Sequence, residues 1–66
     1  MTQITALIQY MDATRAYKEY LYIHTMRVND KATTAYEIEI AHCDMIEAGV
    51  AMDMAAERNR NNTHAQ

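Results

Sequence analysis

Residues 41–49, Ala-His-Cys-Asp-Met-Ile-Glu-Ala-Gly, carry an imidazole, a thiol and two carboxylates within six positions. These are the side chains of nucleophilic catalysis and of metal sites, so their spacing decides what they can do. A cysteine nucleophile needs a base within hydrogen-bond reach and a third group that orients the base. A zinc site needs three or four ligands that converge on one point. On a helix each residue turns about 100° from the last, so His42, Cys43 and Asp44 diverge. Only Cys43 with Glu47, or Asp44 with Glu47, share a side.

The other candidate imidazole, His24, lies in the first half of the chain. Folding the chain back at residues 29–31 leaves it about two helical turns from His42. That distance assembles no nucleophile, base and orienter, and the chain has no glycine-rich phosphate loop, paired-cysteine motif or calcium loop. The expectation is therefore a non-enzymatic protein with no catalytic residue, no metal and no cofactor. Cys43 is expected to pack as a small apolar group, and His24 and His42 to bond to the hydroxyls of Tyr17, Tyr20 or Thr14.

The elements that carry these residues follow from composition. Proline is absent from the 66 residues and glycine occurs once, so the residues that punctuate strands and tight turns are nearly missing. In the first half Leu7, Tyr10, Thr14, Tyr17, Leu21, His24 and Val28 alternate spacings of three and four, a heptad seam along one side of a helix. The second half repeats the pattern at Ala35, Ile38, His42, Met45, Gly49, Met52 and Ala56. Thr2 or Thr5 can cap the first helix, and Thr34 with Glu37 reads as a capping box for the second.

The predicted architecture is an all-α antiparallel hairpin over residues 1–57, with helix 1 over 3–28, a turn at 29–33 and helix 2 over 34–57. Residues 58–66, polar and rich in asparagine, read as a flexible tail. Pairing across the turn sets Leu21 near Ile38, Tyr17 near His42, Tyr10 near Gly49 and Leu7 near Met52. The competing arrangement is α-β-β-α, because Tyr36, Ile38 and Ile40 alternate with Glu37 and Glu39 as in a half-buried strand.

A second apolar stripe runs along each helix. Tyr36, Ile40, Cys43, Val50 and Met54 gather on helix 2, rimmed by Glu37, Asp44 and Glu47, and Ile4, Ile8, Met11, Tyr22 and Met26 gather on helix 1. One short hairpin cannot bury both, and a chain this small builds only a marginal core. The stripes therefore predict a homodimer closing into a four-helix bundle, a surface for another protein, or both. Methionine and tyrosine suit such a surface, since one adapts its shape and the other is amphipathic.

Charge and sorting signals narrow the partners. The net charge is -3, which disfavours a purely electrostatic nucleic-acid binder. The single cysteine suits a reducing compartment, and neither a secretion signal nor a membrane span is apparent. A cytoplasmic protein without a membrane partner is expected. Chains so short, acidic and free of motifs are frequent among accessory proteins of phages and mobile elements, and an inhibitor or adaptor role fits that setting.

The layout, a hairpin with its turn near residue 30 and a polar end, resembles the plasmid repressors of primer, which are dimeric four-helix bundles. The likeness covers nearly the whole chain but rests on no shared motif. It implies binding of paired RNA loops by helix 1, where Arg15, Lys18 and Arg27 would serve, interleaved with Asp12 and Glu19. Lys31 in the turn would extend that basic set.

Overall fold

The computed structural model describes the backbone of residues 2–64 and the side chains of residues 2–61. Two long helices, α1 (Gln3–Asn29) and α2 (Ala35–His64), pack against each other as a hairpin 51 Å long and 13 × 12 Å across, with no strand among the described residues. The strand-like alternation at residues 36–40 is read instead with helical period: Ile38 turns toward α1, while Tyr36 and Ile40 stay exposed.

The ends are built from short polar side chains. Thr2 caps α1, its hydroxyl accepting from the Thr5 amide at 3.1 Å. Thr34 does the same for α2, accepting from the Glu37 amide at 3.2 Å. Between them Asp30 organises the turn: its carboxylate accepts from the Ala32 amide at 2.9 Å and its carbonyl from the Thr33 amide at 3.1 Å. Arg27 stands in the last turn of α1, where a cation meets the unpaired carbonyls of the helix end.

The seam is one residue out from the predicted seam on half of its positions. The buried residues are Ala6, Ala41, Ala48 and Ala55. Together with half-buried Tyr10, Ala13, Tyr17, His24 and Arg27 on α1, and Ile38, Met45, Met52 and Asn59 on α2, they form the line of contact. Tyr10, Tyr17, His24, Ile38, Met45 and Met52 lie where the heptad reading puts them. Leu7, Leu21 and Val28 do not: they are exposed, and Ala6, Ala13 and Arg27 occupy the facing column. On α2, Ala41, Ala48 and Ala55 displace His42, Gly49 and Ala56 from the centre. Small residues on the contact line let two backbones approach closely, since interaxial distance is set by the side chains between the helices.

The register also differs from the expected pairing. His24 faces His42 and Tyr17 rests on Gly49, where Tyr17 and Tyr10 were expected, a slide of seven residues or one heptad. The cause is where the chain reverses. The expected pairs centre between residues 29 and 30, whereas α1 continues through Asn29 and the observed pairs centre on residue 33, within the connection of residues 30–34; each residue by which that centre moves shifts the facing register by two. A heptad slide leaves the same columns in contact, which is why the seam pattern survives it.

At the other end α2 does not stop at Glu57. Residues 58–64, expected as tail, are helical, and residues 65–66 of that tail lie outside the described residues. No glycine or proline intervenes after Gly49, and Asn59 continues the seam spacing one turn beyond Ala55.

Candidate interaction surface

The hairpin brings together few groups capable of chemistry. The rings of His24 and His42 lie with centroids 5.5 Å apart and tilted by 49°, contrary to the two-turn separation expected, because of the heptad slide. Neither ring bonds to the expected hydroxyls of Tyr17, Tyr20 or Thr14 among the described residues; the Thr14 hydroxyl donates instead to the Tyr10 carbonyl at 2.8 Å, a local bond within α1. Cys43 is exposed rather than packed, with Sγ 3.9 Å from the Glu39 carboxylate one turn back. The thiol thus has a carboxylate beside it and no imidazole. Among the described residues no three His, Cys, Asp or Glu side chains gather where one ion could be held.

What the hairpin does present is apolar surface. Tyr36, Ile40, Cys43, Val50 and Met54 all lie on the exposed back of α2, with Tyr36 at 75% and Met54 at 55% exposure. Their spacing, with Glu47 included, runs 36, 40, 43, 47, 50 and 54, an unbroken alternation of fours and threes. Glu47 therefore falls inside the stripe rather than on its rim. Glu37 and half-buried Asp44 form the rim, each one position before a seam residue or directly beside one. A carboxylate flanked by Ile40, Cys43, Val50 and Met54 makes the stripe apolar with one negative charge inside it.

The four basic residues expected to meet RNA separate into two groups. Arg15 and Lys18 flank a cleft of about 340 Å³ that Tyr10, Met11 and Thr14 complete. Arg15 also pairs with Asp12 at 3.7 Å, an exposed contact on the surface of α1. Arg27 instead reaches across the seam and donates to the Glu37 carbonyl at 3.4 Å. Twelve positions, or about 18 Å of helix, separate Arg15 from Arg27, and Lys31 lies exposed in the turn beyond. The four cations expected on one RNA-facing side are thus two pairs, one of them partly committed to holding the hairpin together.

Helix 1 adds its own exposed bulk: Ile4, Ile8, Met11, Tyr22 and Met26, as the stripe predicts, and Leu7, Leu21 and Val28, which the seam was expected to hide. Ala6, Ala13 and Arg27 hold their place on α1, and the matching column of α2 is Ala41, Ala48 and Ala55 at intervals of seven. Hydrophobicity does not mark that column, because alanine is less apolar than leucine, isoleucine or methionine. No helix of the described residues is long and apolar enough to cross a membrane. No family model matches this chain, and no curated protein and no solved structure is similar to it at a significant level.

Proposed function

We propose that this chain is a small non-enzymatic interaction module that works as an inhibitor or adaptor, covering a surface of another protein with the back of α2. The observation that carries the reading is an inversion of bulk: among the described residues the interior of the hairpin is alanine, while fourteen large hydrophobic residues stand exposed. Monomeric proteins keep such patches small, and larger ones mark places where something else binds. Tyr36, Ile40, Val50 and Met54 supply the apolar contact, Glu37 and Asp44 the rim, and Glu47 the central carboxylate that selects a basic group on the partner.

Affinity capture from the native source with the wild-type chain and with Ile40→Asp and Val50→Asp tests it. Proteins retained by the wild type should be lost from both variants, while far-ultraviolet circular dichroism shows the helices intact. Retention of the same proteins by both variants refutes the assignment.

Nucleic-acid binding is the second reading, supported by the Arg15 and Lys18 pair beside Tyr10. It requires binding of structured RNA that weakens steeply with salt and disappears in Arg15→Ala/Lys18→Ala. The absence of any mobility shift at low salt removes it.

A further inference from the structure

The two flanks of the seam are unlike. Gly49 and His42, which meet Tyr17 and His24, each follow a buried alanine of α2 by one position, whereas Glu37, which meets Arg27, precedes the seam residue Ile38. These contacts therefore lie on opposite sides of the contact line. In an antiparallel pair the positions that follow the seam on one helix neighbour those that follow it on the other. Leu7, Thr14, Leu21 and Val28 follow the α1 column and so share the side of His42 and Gly49. Ile4 and Met11 of α1 and Ile46 of α2 widen that side, and all three are exposed.

Charge separates the sides further. On the leucine side the outermost positions are Lys18, Glu39, Asp53 and Arg60, two of each sign. The other side carries Asp12, Glu19, Glu37, Asp44 and Glu47 against Arg27 and Arg58. A copy of the chain docking through the acidic side would set like charges against each other. Docking through the leucine side would not.

We propose that the side formed by Leu7, Leu21 and Val28 of α1 with Ile46 and Gly49 of α2 is the docking face for a second copy of this chain, giving a two-fold four-helix bundle. Three observations select a second copy over a foreign protein. Among the described residues the hairpin has no fully buried large side chain, so its core must come from an association that is always available, and the chain's own copy is. The accessible surface of 5051 Å² for a 7.6 kDa chain exceeds by about 750 Å² the roughly 4300 Å² of a compact monomer of that mass. That excess matches the share of about 800 Å² that one partner buries in a standard interface. Finally the face can meet itself about a two-fold axis along the hairpin without setting like charges together, because Lys18 and Arg60 at its edges balance Glu39 and Asp53.

This face is distinct from the Tyr36–Met54 stripe on the back of α2, and the two assignments stand or fall separately. Sedimentation equilibrium should give twice the 7.6 kDa chain mass, and the melting temperature should rise with protein concentration, as it must when association stabilises the fold. Leu21→Ala should weaken dimerisation about tenfold or more, as loss of a packed interface side chain does, and Leu21→Glu should abolish it. Ile40→Asp should leave it unchanged. A wild-type chain that sediments as a monomer with a melting temperature independent of concentration overturns the proposal. So does a dimer that tolerates Leu21→Glu but is lost in Ile40→Asp, since the interface is then the back of α2. Should Leu21→Glu unfold rather than dissociate, the wild type's concentration dependence and the Leu21→Ala shift decide between these outcomes.

Discussion

Two columns of side chains run side by side along α1. Ala6, Ala13 and Arg27 face α2, whereas Leu7, Leu21 and Val28, each one residue later, remain at the surface. Hydrophobicity alone ranks the second column above the first, yet the first is inside. The difference is one of distance: alanine on the contact line lets the backbones close up and leaves half-buried Tyr17, His24, Met45 and Met52 to wrap around that line. A leucine seam would hold the helices further apart and strip those larger groups of contact. Which of two neighbouring stripes faces the partner helix is thus settled by how near the helices can come, and the stripe that loses is left for a different neighbour.

The sharpest way to break this comparison is to enlarge the winning column. Ala41→Leu with Ala48→Leu inserts bulk at two buried positions that have no room for it. Overpacking a well-filled site costs about 1–3 kcal/mol each, which in a chain this size approaches the whole stability. The double variant is expected to lose its cooperative thermal transition in circular dichroism. A variant that melts like the wild type shows that the alanines do not set the spacing.

Truncating the losing column sharpens the comparison from the other side. Leu21, 40% exposed in the single hairpin, would cost less on truncation than the roughly 2–5 kcal/mol of a buried Leu→Ala change if nothing covered it. Covered by a second copy, Leu21→Ala should cost about 2 kcal/mol or more. Urea unfolding at several protein concentrations separates the two: with a second copy in place the loss should grow with concentration, because association stabilises the wild type first, and level off once the variant also dimerises, whereas an uncovered Leu21 gives the same small loss throughout.

These positions also show what the sequence carried and what it did not. The helices, their threonine caps and the columns of Tyr10, Tyr17, His24, Ile38, Met45 and Met52 were legible, because period, capping chemistry and breaker content are local properties. The exposed stripe of Tyr36, Ile40, Cys43, Val50 and Met54 was legible for the same reason. The choice between adjacent columns was not, since it depends on the spacing between two helices. Nor was the register: the polar run Asn29-Asp30-Lys31 marks a turn, but Asn29 closes α1 and the chain reverses further on, which moved His42 from Tyr17 to His24. Residues 58–64 are polar enough to suggest a tail, yet nothing in them breaks a helix, and polarity alone does not end one.

A smaller effect is expected where the helix begins rather than where it packs. Thr34→Ala removes the acceptor for the Glu37 amide and should destabilise α2 by about 1 kcal/mol. Because the cap lies at the turn end, outside both columns, the loss should appear in thermal melts at every concentration by the same amount. A concentration-dependent loss would mean that the turn end also takes part in association.

The smallest effect belongs to Gly49, which lies between the two columns on α2. A glycine inside a helix costs about 1 kcal/mol relative to alanine, and Gly49 has ordinary helical backbone, with no positive φ among the described glycines. Adding a Cβ would bring it to 3.2 Å from Tyr17 Cε1 and 3.5 Å from Cδ1, so the ring must retreat by a few tenths of an ångström. The tyrosine ring is the far end of a flexible side chain in an open cleft of about 330 Å³ lined also by Met45, Ile46 and Val50, so it can move. Gly49→Ala should therefore gain part of the propensity term, about 0.5 kcal/mol, read as a small rise in melting temperature. Gly49→Leu has no such latitude, because its side chain must occupy the place of the Tyr17 ring. If Gly49→Ala is destabilising instead, Tyr17 is held against the glycine by more than its own helix, and a second copy on that side of the hairpin is the structure that would hold it.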